Sequence, residues 1–96
     1  MSDSKTFSGV TPAIFSCVKT TSAEQHGTTY DPPNANQGIS TTKGTGWIVK
    51  LKFEFDPADG DLKYTVVEKS WIVPISAVWN GIGDTINGCR KKAASA

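Results

Sequence analysis

His26 is the residue best suited to acid–base chemistry, because it is the only histidine in the 96-residue chain. An imidazole is the side chain that most readily exchanges a proton near neutral pH. It lies in a polar stretch, and neither nearby serine has the glycine pattern that surrounds a nucleophile elbow. A solvated surface histidine is the simpler interpretation. A small hydrolase-like enzyme that uses His26 with a carboxylate such as Asp31 or Asp84 is the alternative hypothesis.

Two cysteines, Cys17 and Cys89, lie near opposite ends of the sequence. One interpretation is a pair of reduced, buried thiols that behave as small apolar side chains. The alternative is one disulfide that closes a loop of about 70 residues and stabilises the fold by up to ~4 kcal/mol. The N-terminus lacks the apolar segment of a secretory signal peptide, which favours thiols and a cytoplasmic protein, with secretion by another route as the alternative.

Metal and cofactor sites are not expected from the remaining polar residues. Two cysteines and one histidine are too few for a structural metal site. Asp56, Asp59 and Asp61 around Gly60 are arranged loosely like a calcium loop, but Val66 stands where that loop needs its bidentate glutamate. A turn in which aspartate accepts local backbone hydrogen bonds is the better interpretation.

The aromatic residues are the strongest candidates for a ligand site. Trp47, Trp71 and Trp79 are three tryptophans in a short chain, and tryptophan is common both in cores and at binding surfaces. Core packing is one interpretation. The other is a ligand site formed by Trp47, Trp71, Tyr30 and His26, where an indole face beside polar groups binds a sugar or another small ligand.

The charge balance argues against a nucleic-acid partner. Ten Lys and Arg residues against nine Asp and Glu residues give a formal charge of +1, too small for a surface that follows phosphates. No apolar run approaches the ~20 residues of a transmembrane segment. Five lysines are expected on the outer face of a sheet, as a solvated surface or as a contact for an acidic partner or an anionic membrane: Lys43, Lys50, Lys52, Lys63 and Lys69.

Two apolar runs, Gly46–Phe55 and Leu62–Val73, predict a β-hairpin around the turn-forming segment Asp56–Asp61. If Phe55 faces Leu62, then Phe53 faces Tyr64, Leu51 faces Val66 and Glu54 faces Lys63. The alternation breaks after Val66, which predicts either a β-bulge near Val67–Glu68 that returns Trp71 to the core side or a strand covered on both faces beyond that point. The expected core residues of the hairpin are Trp47, Leu51, Phe53, Tyr64 and Val66.

Two helices are expected to flank the strands. Thr11 is a suitable N-cap and Pro12 a suitable first residue for a helix of about ten residues. Ser76 is a suitable N-cap for a second helix over Ala77–Cys89, where a glycine cap at Gly88 is one way for it to end.

The segment Thr20–Gly46 is rich in Thr, Ser, Gly, Asn and Gln, and predicts either short strands at Thr28–Tyr30 and Gly38–Thr42 or a disordered excursion. The order of elements predicts an α+β fold with a small antiparallel sheet built on the central hairpin and both helices packed on one face. We expect residues 1–96 to form one domain, with 1–6 and 93–96 disordered.

No catalytic constellation emerges, so the favoured hypothesis is a small, soluble, non-enzymatic binding or protein-interaction module. Its partner is expected to be an unidentified protein or small ligand. A homodimer that pairs through an exposed sheet edge is a further possibility.

Overall fold

The computed structural model describes residues 3–95 and confirms the predicted α+β class. In chain order the elements are β1 (Ser4–Phe7), α1 (Pro12–His26), β2 (Thr29–Asp31), β3 (Gln37–Gly44), β4 (Trp47–Asp56), β5 (Asp61–Lys69) and α2 (Ile75–Ser95). The strands form one antiparallel sheet in the order β1-β5-β4-β3-β2. Both helices contribute side chains to a core on one face of this sheet, which is called the inner face below.

The β4–β5 hairpin has the predicted register. Phe55 pairs with Leu62, Phe53 with Tyr64 and Leu51 with Val66. In the turn, Oδ1 of Asp56 accepts hydrogen bonds from the backbone N–H groups of Ala58 at 3.0 Å and Asp59 at 3.4 Å. The aspartate therefore stabilises its own turn, as expected.

The predicted bulge lies at Val67. Leu51 pairs with Val66, whereas the preceding residue Lys50 pairs with Glu68, so Val67 is one residue too many for the ladder. An extra residue exchanges the two faces of the strand beyond it. Lys69 is consequently opposite Val49 on the inner face, and its ammonium donates a hydrogen bond to the Val73 carbonyl at 2.5 Å. The placement of Lys69 among the outer lysines was therefore wrong.

The placement of Trp71 on the core side was also wrong. β5 ends at Lys69, because Ser70 begins a turn in which the Val73 N–H donates to the Ser70 carbonyl. Trp71 lies in that turn and is 90% exposed. The bulge exchanges the inner and outer positions of β5, as predicted. The strand ends at Lys69, however, so Trp71 is no longer part of it.

Both helices are longer than predicted. Thr11 caps α1, as expected, by accepting a hydrogen bond from the Ile14 N–H, and α1 continues to Gly27, whose φ of 67° is the left-handed conformation of a C-cap. The second helix, α2, begins at Ile75 directly after Pro74 and passes through Gly88 without ending there. Ile86 and Cys89 are its buried residues.

The N-terminal segment is ordered, contrary to expectation. Ser4–Phe7 pairs with β5 as an edge strand, and the Arg90 guanidinium donates a hydrogen bond to the Ser8 carbonyl. At the other end, residues 93–95 continue α2. The predictions for residues 1, 2 and 96 lie outside the described part.

The polar segment before the hairpin forms the two short strands that were one of its alternatives. A lysine holds the loop between them: the Lys19 ammonium donates to the carbonyls of Pro33 at 3.0 Å and Ala35 at 2.8 Å. The same ammonium lies 4.4 Å from the centroid of the Phe15 ring, and burial lowers the pKa of Lys19. This contact from α1 orders a loop whose own sequence has little to pack.

Candidate functional site

The inner face of the sheet has a filled half, formed by Phe53, Phe55 and Leu62, which are all buried. Phe15 of α1 packs on it, with its ring centroid 4.8 Å from that of Phe55 and 5.9 Å from that of Phe53. Tyr30 closes the cluster at its side, 5.1 Å from the Phe53 centroid. Aromatic rings in contact leave little space, so this half is a packed core.

The other half of the inner face, called the open half, is formed by Ser40, Thr42, Val49 and Leu51. Strand pairing places Ser40 beside Leu51 and Thr42 beside Val49. The first half of α2 lies over these residues, and their short side chains do not fill the space beneath it. A cavity of about 250 Å³ remains.

Side chains from both helices and four strands surround this cavity. Its apolar wall contains Trp47, Val49, Leu51, Val73, Ala77, Val78 and Ile82. Its hydroxyl groups belong to Ser22, Thr28, Tyr30, Ser40, Thr42, Tyr64 and Thr85, and His26 and Gly81 complete it. The site is a mainly apolar chamber with hydroxyl groups and a single imidazole.

Four of these hydroxyl groups form two hydrogen-bonded pairs. The phenol oxygens of Tyr30 and Tyr64 are 2.9 Å apart, and the hydroxyls of Thr28 and Thr42 are 2.6 Å apart. Burial raises the pKa of Tyr30, and burial together with the neighbouring Tyr30 raises the pKa of Tyr64 well above its usual value. Both phenols therefore remain protonated near neutral pH, and one of them donates its hydrogen to the other.

Charge is almost absent from the cavity wall. Within residues 3–95, no Lys, Arg, Asp or Glu side chain belongs to the lining. His26 provides the one imidazole of the lining, and it is exposed at the end of α1. An ion inside would find no opposite charge in this wall.

The cavity meets the surface between the two helices. His26, Gly81 and Thr85 line both the cavity and a surface groove between α1 and α2. A Cβ added at Gly81 would meet no atom within 4 Å. The space beside Gly81 is therefore open, since this residue has no side chain.

A disulfide between Cys17 and Cys89 joins the same two helices, with a Cα–Cα distance of 5.8 Å. The Thr21 hydroxyl lies 3.7 Å from Sγ of Cys17 and 3.8 Å from Sγ of Cys89. From the sequence, the disulfide was the less favoured alternative. Reduced thiols were expected because of the N-terminal segment, and the sequence did not show that the two helices meet at these cysteines.

Three of the four residues proposed for a ligand site surround the cavity: Trp47, Tyr30 and His26. Trp71 is not among the lining residues. The Trp47 indole lies directly over Gly44, where a Cβ would come within 2.0 Å of its Nε1 atom. A bare backbone at Gly44 thus lets the tryptophan lie flat at the edge of the chamber.

The residues of the enzyme hypothesis are not assembled into a catalytic set. His26 and Asp84 border the same groove, but no hydrogen bond or ion pair joins them among the described residues. Asp31 pairs with Ile39, whose partner on the next strand is Lys52, on the outer face of the sheet and away from the cavity. The arrangement can enclose a small molecule, and it shows no activated nucleophile.

Sequence reasoning missed the hydroxyl residues of the open half. Their signal is the alternation in β3, where Gly38, Ser40, Thr42 and Gly44 all fall on the inner face. Small residues at every inward position predict a gap between the strand and the element that covers it. This prediction requires knowing which alternate residues of the strand face the core.

In the described part of the chain, no group of three or more His, Cys, Asp or Glu side chains is placed to hold a metal ion. Neither of the helices within residues 3–95 is both long and apolar enough to cross a membrane. Comparison of the chain with protein-family models, with curated proteins and with solved structures finds no match.

Proposed function

We propose that this protein is a non-enzymatic binding protein that holds a small molecule in the cavity between α2 and the open half of the sheet. The observation that carries the proposal is the cavity itself, which has a volume of about 250 Å³. It lies beside the filled half of the inner face, which is tightly packed. A concave, mainly apolar pocket with a few polar groups is the usual form of a small-molecule site. This pocket is therefore a candidate binding site.

The volume indicates the size of the ligand. An engineered cavity of about 150 Å³ binds benzene, so by proportion 250 Å³ accepts a molecule of about ten non-hydrogen atoms. One fused pair of rings, or one ring with a short substituent, has this size. Naphthalene and 2-naphthol are suitable probes because both are rigid and uncharged near neutral pH.

The route of entry passes between the helices at His26, Gly81 and Thr85. A leucine at position 81 has room for its Cβ and would project into the opening. Gly88 offers a matched control, since it lies on the same helix, its added Cβ also meets nothing within 4 Å, and it lines only the outer groove.

The test is a titration followed by the NMR resonances of the uniformly ¹⁵N-labelled protein, including the Trp47 indole N–H. We expect naphthalene and 2-naphthol to shift the signals of Trp47 and of neighbouring amides in the native protein and in Gly88→Leu. The same signals should not shift in Gly81→Leu. The proposal is wrong if neither probe binds up to its solubility limit. It is also wrong if a folded Gly81→Leu variant binds as well as the native protein.

The compartment is part of the proposal. Disulfides persist mainly in oxidising environments, and the Cys17–Cys89 bond therefore favours such a compartment over the cytoplasm expected from the sequence. Alkylation of protein isolated in its native state, followed by mass spectrometry, distinguishes the two. Two alkylated cysteines before reduction would contradict the oxidising compartment.

Protein partners and self-association stay predictions. A homodimer through a sheet edge would use β1 or β2, the outermost strands of the sheet. Four lysines, Lys43, Lys50, Lys52 and Lys63, lie at outer-face positions beside Glu54 and Glu68. Light scattering tests the dimer directly.

A further inference from the structure

We infer that the ligand is an uncharged molecule with one or two rings and a hydroxyl or carbonyl group, which is hydrogen-bonded to the hydroxyls of Ser22, Tyr30 and Tyr64. This inference rests on the proposed function and adds the chemical class of the ligand. It follows from the hydrogen-bonding capacity of the cavity wall, from the absence of charge in it and from the distribution of its apolar surface.

The three hydroxyls have unused hydrogen-bonding capacity. Tyr30 is hydrogen-bonded to Tyr64 at 2.9 Å, and Ser22 is a third hydroxyl residue of the same cavity wall. Each hydroxyl has one hydrogen to donate and two lone pairs to accept with. The bond between the phenols uses one of the three hydrogens, so O–H groups and lone pairs remain for a ligand. A hydroxyl satisfies both kinds of group, and a carbonyl satisfies the donor.

A charged ligand is excluded by the cost of removing its water. The ammonium of Lys19 lies 5.9 Å from the Tyr30 ring centroid. That ammonium already donates to two backbone carbonyls of the β2–β3 loop and does not line the cavity. Burial of an unpaired carboxylate or ammonium is far more costly than burial of a hydroxyl that finds a partner.

A sugar fits the apolar part of the wall poorly. Hydroxyls surround the ring of a monosaccharide, whereas Val49, Leu51 and Ile82 offer no polar partner. Each unpaired buried hydroxyl lowers the affinity. An aromatic or alicyclic ring fits this wall, with its polar substituent directed towards the tyrosines.

Four probes of similar size separate these possibilities: naphthalene, 2-naphthol, 2-naphthoate and methyl glucoside. We expect 2-naphthol to bind about threefold to tenfold more tightly than naphthalene, the range that one net hydrogen bond provides. The inference is wrong if 2-naphthoate or methyl glucoside binds as tightly as 2-naphthol. If naphthalene binds and 2-naphthol shows no advantage, the class is wrong while the proposed function stands. If neither binds, both are wrong.

The double variant Tyr30→Phe/Tyr64→Phe tests whether the phenols cause the higher affinity for 2-naphthol than for naphthalene. Removal of both phenol oxygens leaves no buried oxygen without its partner, which limits the loss of stability. We expect the ratio of 2-naphthol to naphthalene affinity to fall to about one in this variant. Thr28→Val/Thr42→Val is the matched control, because it removes the other hydroxyl pair of the same cavity and should keep the ratio.

Circular dichroism establishes whether each double variant folds. If the tyrosine variant does not fold, Ser22→Ala removes the third of these hydroxyls and should reduce the same ratio at least about twofold. An unchanged ratio in Ser22→Ala and in a folded tyrosine variant would overturn the assignment of the polar group to these hydroxyls.

Discussion

The filled half and the open half belong to the same face of the same sheet, yet one is packed with aromatic rings and the other encloses a cavity. In the filled half, Phe53 and Phe55 face Phe15 of α1. In the open half, Ser40 and Thr42 occupy equivalent inward positions under α2. The backbone is continuous between them, and the two halves differ in the size of their inward side chains and in the helix that covers them.

This difference also separates two tasks. The aromatic cluster buries large apolar side chains and supplies much of the stability of the fold. The open half buries smaller side chains and contributes less to stability. The disulfide compensates, because it joins α2, which covers the chamber, to α1. A small protein can keep a cavity if the remainder of the molecule provides enough stability.

The largest effect is expected in the filled half. Phe53 is 0% exposed, and Phe53→Ala should lower the free energy of unfolding by about 3–5 kcal/mol, because it removes a ring and leaves a void among other rings. Chemical denaturation measures this loss. A loss below ~1 kcal/mol would mean that the filled half is not closely packed.

Removal of the disulfide should have the next largest effect. The double variant Cys17→Ala/Cys89→Ala should lose about 2–4 kcal/mol, since the bond joins residues far apart in the chain. Hydrogen exchange should then show a greater loss of protection in the first half of α2 than in β4. Equal loss in both would contradict the idea that the disulfide mainly secures the cover of the chamber.

A matched pair of valines compares the two halves directly. Val49 lines the cavity, whereas Val18 is buried in α1 and does not. Val49→Leu should stabilise the protein by up to ~0.8 kcal/mol, because the added methylene fills empty space. Val18→Leu should destabilise it by about 1–3 kcal/mol through overpacking. Thermal unfolding of the two variants tests this, and opposite signs are the expected result.

The smallest effect appears only at alkaline pH, at the boundary between the halves. The pKa values of Tyr30 and Tyr64 are raised in the folded protein above the usual 10.0, so above this pH the unfolded chain releases protons that the folded chain retains. Stability is therefore full below pH 10.0 and should fall as the pH rises further. Urea titrations should show this decline, and a weaker one in Tyr30→Phe/Tyr64→Phe.

The sequence predicts the parts of the fold that depend on local patterns. The alternation of β4 and β5 specified their register down to the Phe53–Tyr64 pair, and Thr11 with Pro12 specified the start of α1. In each case one short segment contains both the signal and its consequence. The bulge at Val67 was predictable for the same reason.

The remaining features depend on segments distant in the chain. β1 has no pattern of its own and is a strand because β5 offers a free edge, and the loop after β2 is ordered by Lys19 from α1. The cavity arises because small residues of β3, which ends at Gly44, lie under a helix that begins only at Ile75. For the candidate site, chemical type alone selected Trp47, Tyr30 and His26, and it also selected Trp71, which the end of β5 leaves in solvent.

The disulfide has a consequence for proteolysis. It links Cys17 to Cys89, so the chain from one to the other is a covalent ring that contains most of the sheet. A protease that cuts one peptide bond inside this ring opens it without releasing a fragment. The nicked protein keeps its mass apart from one added water, and only reduction separates the two pieces.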